Sequence, residues 1–154
     1  MVRYKKGHKM KVGHVGINVS NIEKSKEFYL NLFGFEVLFE ETLEDKKYMF
    51  LGKNGEIIVT LWEQANKEFS SSTAGLHHLA FLVDSVDELK AFEQKLDDNK
   101  ITKIYKGIVS HCEGASSGGV FFIDPDGVRL EVCIADGIDD CNPSHNDHSS
   151  CGFF

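Results

Sequence analysis

Hydrophobic and polar positions alternate over Lys11–Val19, which predicts a β-strand. Its apolar side carries Val15, Ile17 and Val19, and its other side carries His14, Gly16 and Asn18. An amphipathic helix follows, with Ser20 and Asn21 at its N-cap, Ser20 and Glu23 at capping-box spacing, and its end at Gly34. Short strands are then predicted over 35–40, 47–51 and 57–62.

The second half of the chain shows the same order of elements. A strand is predicted over Leu76–Val83, and Asp84 and Ser85 cap a second helix. A strand over Ile101–Lys106 and a Gly/Ser-rich loop over 114–119 follow. The last elements form a hairpin, in which strands 120–123 and 128–134 flank the turn Asp124-Pro125-Asp126-Gly127.

The two halves align without a gap when the numbering is shifted by 64. This shift takes His14 to His78, Val19 to Val83 and Ile22 to Val86. The chain is therefore predicted to contain two βαβββ modules. The expected segments are an N-terminal leader (1–11), a first module (12–63), a linker (64–75), a second module (76–135) and a polar C-terminal tail (136–154).

Composition narrows the classes of protein that this chain can represent. Its 154 residues, 42% hydrophobic with 12 Phe, suit one domain or two half-size units that share a core. A net charge of −7 argues against a nucleic-acid partner or an anionic membrane surface. No apolar run reaches the roughly 20 residues of a membrane span. A cytoplasmic protein whose four cysteines are free thiols is expected.

A carboxylate interrupts the otherwise apolar last strand. Alternation places Arg129, Glu131 and Cys133 on one side of this strand, opposite an aliphatic side. Glu131 can belong to an exposed sheet face or to a functional site. The histidines at equivalent places in both halves favour the second interpretation.

Four stretches resemble the vicinal oxygen chelate superfamily, which contains glyoxalase I, extradiol dioxygenases, methylmalonyl-CoA epimerase, fosfomycin-modifying enzymes and bleomycin resistance proteins. The resemblance covers about residues 12–135. It implies an α+β fold in which two paired βαβββ modules form an incompletely closed eight-stranded sheet around a metal site. The stretches are Gly13–Val19, Phe28–Phe35, Leu76–Phe81 and Phe122–Val132.

The resemblance implies the metal ligands His14, His78 and Glu131. The register with His14 selects His78 over His77, which is then expected on the opposite, packed face. The fourth family position falls on Thr60, or on Val59, where glyoxalase I enzymes carry a carboxylate. The expected cofactor is one divalent ion (Zn, Fe, Mn, Ni or Co), because two imidazoles and one carboxylate leave coordination positions open.

Other residues are predicted around this site. Glu131 and His111 are the candidate catalytic groups, and Cys112 and Cys133 are candidate thiol nucleophiles. In the tail, Cys141, His145, His148 and Cys151 have a spacing that can hold a second zinc ion. The candidate substrate-binding residues are Asn18, Tyr48, Thr60, Tyr105 and Arg129.

The predicted function is a metal-dependent glyoxalase/dioxygenase-like enzyme acting on a small molecule with vicinal oxygens. Isomerase or lyase, transferase and dioxygenase chemistry all remain open. The alternatives are a metal-free, drug-sequestering protein of the bleomycin resistance type and a metal-bound regulator. The resemblance also implies a homodimer.

Overall fold

The computed structural model describes residues 11–138. Most of the predicted leader and the possible zinc ligands of the tail lie outside the described residues. The described part confirms the predicted α+β fold class, with two βαβββ modules. Its eight strands form two hydrogen-bonded sheets of four and no closed barrel. None of its helices is long and apolar enough to cross a membrane.

The first module contains one helix and a four-stranded sheet in the order β1-β4-β3-β2. The first strand pairs parallel with the fourth, and the other neighbours are antiparallel. The elements are β1 (Val15–Val19), α1 (Ile22–Phe33), β2 (Glu36–Leu43), β3 (Lys46–Lys53) and β4 (Glu56–Glu63). The strand predicted from residue 11 is therefore shorter, and His14 lies immediately before it.

The second module repeats this arrangement in the order β5-β8-β7-β6, again with one parallel pair. The predicted hairpin is confirmed, since Gly127 N–H donates to Asp124 O and Gly127 has a φ of +84°. The elements are β5 (Leu79–Leu82), α2 (Val86–Asp98), β6 (Val109–Ser110), β7 (Gly118–Ile123) and β8 (Arg129–Ile134).

The strand predicted over Ile101–Lys106 is wrong. Only Lys103 in this stretch forms a bridge, to Phe122. The backbone then turns, with Gly107 N–H donating to Tyr105 O and Gly107 at a φ of +107°. The sheet pairing resumes at β6, and the end of the predicted Gly/Ser loop belongs to β7.

The helix caps follow the predicted residue types but only partly the predicted positions. Ser85 caps α2 by accepting from Glu88 N–H. Asn21, not Ser20, caps α1, accepting from Lys24 N–H at 2.9 Å. The predicted capping box is wrong, because Ser20 N–H donates to the Asp126 carboxylate of the distant hairpin turn.

One hydrophobic core joins the two modules. On β1, Ile17 and Val19 are buried in it, and on β8, Leu130 and Val132 belong to the same cluster. Between the modules, the Phe33 ring of α1 lies 4.4 Å from Phe81, 5.4 Å from Phe92 and 6.3 Å from Phe122, centroid to centroid. Each sheet thus has a core face and, because strand side chains alternate, an open face on the other side.

A buried polar contact also links the modules. The Tyr29 hydroxyl of α1 donates to Asp124 Oδ2 in the hairpin turn at 3.1 Å. The other oxygen of Asp124 accepts from the backbone N–H groups of Asp126 and Val128. Burial raises the pKa of the Asp124 carboxyl to about 6, even though these hydrogen bonds act in the opposite direction. Burial and the Asp124 charge together raise the pKa of Tyr29 well above its usual value.

This raised pKa predicts a pH-dependent stability. In the unfolded chain the carboxyl titrates near about pH 4, so at intermediate pH only the folded protein keeps the proton. The free energy of unfolding should fall by on the order of 3 kcal/mol as the pH rises from about 4 to about 6. Asp124→Asn should remove this component, and urea unfolding at a series of pH values measures it. Asp45→Asn, which changes an exposed carboxylate between β2 and β3, is the control, and an unchanged pH slope in Asp124→Asn would contradict the assignment.

Candidate metal centre and substrate face

A buried carboxylate occupies the open face of the second sheet. Glu131 is 3% exposed and lies at the centre of β8, between core-facing Leu130 and Val132. In the sheet it pairs with Ala80 of β5 on one side and with Phe121 of β7 on the other. The interpretation of Glu131 as an exposed residue is therefore wrong, and its charge needs partners.

Two histidines contact the two oxygens of this carboxylate. His78 Nε2 lies 3.2 Å from Glu131 Oε2, and His111 Nε2 lies 2.7 Å from Glu131 Oε1. His78 comes immediately before β5, and His111 follows β6 directly. The structure therefore brings together three of the predicted site residues, His78, His111 and Glu131. The first and the last of them are 53 positions apart in the sequence.

Further hydrogen bonds extend this group in both directions. His111 Nδ1 lies 3.0 Å from Ser117 Oγ, and His77 Nδ1 lies 2.8 Å from His78 Nδ1. His77 is exposed, so its predicted position on a packed face is wrong. Strand alternation does not apply to it, because β5 starts only at Leu79.

The space around Glu131 depends on Gly119 of β7. A Cβ at this position would lie 2.8 Å from Glu131 Oε1 and 2.6 Å from the Val132 carbonyl oxygen. Cys133 is the partner of Gly119 in the sheet. Burial and, secondarily, the nearby Glu131 charge raise the pKa of the Cys133 thiol to about 11. This thiol is therefore protonated near neutral pH, which disfavours it as a nucleophile.

The open face of the first sheet is aromatic. The β3–β4 register pairs Tyr48 with Trp62 and Phe50 with Thr60, so these side chains share one face. The Tyr48 and Trp62 rings stack at 4.7 Å with an interplanar angle of 9°. Phe39, 45% exposed on β2, lies 5.4 Å from the Phe50 ring.

The predicted residues of the first module lie on or beside this aromatic face. Thr60 is buried, and its hydroxyl accepts from Trp62 Nε1 at 3.0 Å. Asn18 pairs with Trp62 in the register, and its side-chain oxygen accepts from Gln64 N–H. His14 is exposed at the start of β1 and is not brought to Glu131 in the way that His78 is.

The remaining predicted residues belong to the second module. The Tyr105 ring packs edge-on against Phe121 at 5.5 Å. Arg129 is half-buried on β8, on the side of Glu131, and pairs with Ile123. Cys112 is an exposed free thiol next to His111.

The donor chemistry fits a divalent cation only in part. Imidazole nitrogen and carboxylate oxygen are common ligands of first-row metals, and His78 and Glu131 present both types side by side. Across residues 11–138, however, no three His, Cys, Asp or Glu side chains are arranged to share one ion. One copy of the chain therefore supplies two of the three expected ligands at one place.

Comparison with known proteins identifies the family. A model of the Glyoxalase/Bleomycin resistance protein/Dioxygenase superfamily matches residues 11–132. The chain belongs to this superfamily. The superfamily contains metal-dependent enzymes of several reaction types, in agreement with the predicted enzyme class at that level.

A curated relative and two solved structures illustrate the range of the superfamily. The trivalent organoarsenical cleaving enzyme of Bacillus sp. (strain MD1) is 34% identical over 122 residues, which are 79% of this chain and 71% of the relative. A glyoxylase/bleomycin resistance protein/dioxygenase domain from Frankia sp. EAN1pec has a TM-score of 0.71 at 20% identity, covering 83% of this chain and 93% of its own. The fosfomycin resistance protein FosX from Listeria monocytogenes, solved with Mn(II) and sulfate, has a TM-score of 0.64 at 15% identity, covering 88% and 100%. At these identities the two structures show the fold alone.

Three residues of the site were not predicted. Trp62 lies two positions after Thr60 on β4, so strand alternation places both side chains on the same face. The sequence therefore contained a signal for Trp62. Ser117 and Phe121 have no comparable signal, because their places beside His111 and Glu131 depend on the pairing of β6, β7 and β8.

Gly119→Ala tests the packing around Glu131. The added methyl group meets a carbonyl oxygen of the neighbouring strand, so we expect a loss of about 1–3 kcal/mol of stability. It should also displace the Glu131 carboxylate and weaken metal binding. Gly75→Ala is the matched control, because a Cβ at Gly75 has nothing within 4 Å. Chemical denaturation and metal titration measure both effects, and equal behaviour of the two variants would contradict the contact.

Proposed function

We propose that this protein is a metal-dependent enzyme that acts on a small molecule with vicinal oxygens. The ion is held by His78 and Glu131 of one copy and by His14 of a second copy. The observation that carries the proposal is the buried Glu131 carboxylate beside the His78 imidazole on an open sheet face.

The burial of Glu131 supports a metal-ligand role. Burying a carboxylate is costly unless it is paired or coordinates a metal. Its two side-chain contacts here are imidazoles, and neither ring carries a permanent positive charge. A divalent cation next to Oε2 would neutralise this charge. The drug-sequestering alternative does not require these donors.

The chemistry follows from this donor set. A bound divalent ion supplies Lewis-acid chemistry, since it favours negative charge on substrate oxygens. The aromatic face of the first sheet, with the stacked Tyr48 and Trp62 rings, provides apolar contact area for the rest of the substrate. Thr60 lies beneath these rings, and its hydroxyl is engaged by Trp62.

A second copy is proposed because the expected ligands lie on or beside the open faces of two different sheets. The core faces of both sheets pack into one cluster, so their open faces point away from that shared core. His14 precedes the open-face positions Gly16 and Asn18, whereas Glu131 lies on the open face of the other sheet. A two-fold dimer that joins the first module of one copy to the second module of the other would place both ligand sets together.

The relatives suggest which substrates to test. We propose a trivalent organoarsenical, after the organoarsenical cleaving enzyme, and, after the extradiol dioxygenases and fosfomycin-modifying enzymes of the superfamily, a catechol as a vicinal diol and fosfomycin. Trp62 is the single tryptophan of the chain, so its fluorescence reports ligands that reach the aromatic face. Fluorescence quenching without turnover by the metal-loaded protein would favour the sequestering function.

Metal content is the first test of this proposal. Elemental mass spectrometry of the purified protein, after incubation with each of Zn²⁺, Fe²⁺, Mn²⁺, Ni²⁺ and Co²⁺, should find stoichiometric metal. His78→Ala and Glu131→Gln should lose it, because each removes a donor. Glu113→Gln, which changes an exposed carboxylate, should retain it. A folded wild type that retains none of the five ions would refute the metal-dependent function.

Mixing two defective variants tests the shared site. His14→Ala and Glu131→Gln copies, unfolded together and refolded at equal amounts, should recover metal at about a quarter of the wild-type level. Half of randomly formed dimers are mixed, and each has one intact site of two. Recovery should be absent when either variant is refolded alone. No recovery in the mixture, with dimers present by size-exclusion chromatography, would contradict the inter-copy site.

A further inference from the structure

The two oxygens of Glu131 have different environments. Oε2 faces His78, the neighbour with which it is proposed to hold the ion, at 3.2 Å. Oε1 contacts a different residue, His111, whose Nε2 lies at the shorter distance of 2.7 Å. Gly119 leaves room for this contact, because a side chain there would collide with Oε1. The His111 contact therefore leaves Oε2 available.

His111 is itself held at two points by one residue. Its backbone N–H donates to the Ser117 carbonyl oxygen at 3.0 Å, and its Nδ1 lies 3.0 Å from Ser117 Oγ. These contacts close the loop between β6 and β7. The loop base is packed tightly, since a Cβ at Gly118 would collide with Ile138 Cδ1 and with the Val109 carbonyl oxygen.

Hydrogen-bond chemistry determines the direction of these contacts. An ionised carboxylate only accepts, so His111 donates from Nε2 to Oε1. In the neutral ring Nδ1 then accepts, and the Ser117 hydroxyl is its donor. The chain of donors runs from Ser117 through His111 to Glu131.

We propose that His111, oriented by Ser117, is a positioning residue that fixes Glu131 so that Oε2 alone is presented to the ion. This inference rests on the proposed metal-dependent function. In this role His111 acts through Glu131, and its predicted role as a catalytic group stays a prediction. Hydrogen bonds of this kind to a metal ligand orient it and typically change metal affinity by about 10–100-fold.

The test compares four variants of the full chain. His111→Phe keeps a ring but removes the donor to Oε1, whereas His111→Gln keeps an N–H donor at a similar reach. Ser117→Ala removes the hydroxyl that orients His111. Ser116→Ala is the matched control, since the structure assigns its backbone oxygen, and not its side chain, a hydrogen bond from Ile138.

Metal affinity and metal spectrum are the readouts. Electron paramagnetic resonance of free Mn²⁺ gives the dissociation constant, and visible absorption of bound Co²⁺ reports coordination geometry. We expect His111→Phe to raise the dissociation constant about 10–100-fold and to alter the Co²⁺ spectrum. His111→Gln should recover most of the affinity, Ser117→Ala should fall between, and Ser116→Ala should match the wild type. Wild-type affinity and spectrum in His111→Phe would overturn the proposal.

A metal-free measurement separates this proposal from the proposed function. If the wild type binds none of the five candidate ions, the metal-dependent function fails. Histidine-ring ¹H–¹⁵N spectra of the metal-free protein then decide whether His111 positions Glu131. We expect the Nε2–H tautomer of His111, with a ring proton that shifts in Glu131→Gln. The opposite tautomer, or no response to Glu131→Gln, would overturn the positioning role whatever the metal result.

Discussion

The shared hydrophobic core is the constraint on which the rest of this structure depends. Ile17 and Val19 of the first module and Leu130 and Val132 of the second are buried in the same cluster. Because side chains alternate along each strand, burying these residues forces their neighbours onto the opposite faces. The candidate functional residues lie on those open faces for this reason, and the two faces belong to different sheets.

The same constraint explains the unequal environments of the two equivalent histidines. His78 meets a carboxylate because β5 pairs with β8, which brings Glu131 beside it. His14 precedes β1, which pairs with β4, and the residue facing Gly16 there is Thr60. The modules therefore share a backbone plan, but only the second one contains a carboxylate at this place. The first module contributes aromatic side chains instead.

The Glu131 group shows how a sheet organises polar residues that are distant in sequence. Ser117, His111, Glu131, His78 and His77 form one series of contacts, with distances of 2.7–3.2 Å. Pairing of β6 with β7, β7 with β8 and β8 with β5 brings Ser117, His111 and His78 to Glu131, whereas His77 and His78 are neighbours in the sequence. Loss of register in any of the three pairs would separate donors from the carboxylate.

Local sequence signals predicted much of this fold. The hairpin turn at Asp124–Gly127, the Ser85 cap and the end of α1 at Gly34 follow from residue types with strong local preferences. The two failures have different causes, one a contact with a distant residue and the other a local turn. Ser20 does not cap α1, because the helix starts one residue later, with the Asn21 side chain accepting from Lys24 N–H, and Ser20 N–H donates instead to Asp126 of the other module. The stretch 101–106 is not a strand, because Gly107 turns the chain before pairing can continue.

The sequence by itself determined the two-module plan, the faces of the strands and the residue types of the site, because periodicity and turn chemistry act within a few residues. It also placed His14 and His78 at equivalent positions of the two modules and Glu131 on the last strand of the second module. Only the tertiary structure decided that His111 contacts Glu131, that Trp62 stacks on Tyr48, and that His14, exposed before β1, is not grouped with the carboxylate as a ligand set. Those contacts depend on strand register and on how the modules pack through one core, and neither is encoded in a local pattern.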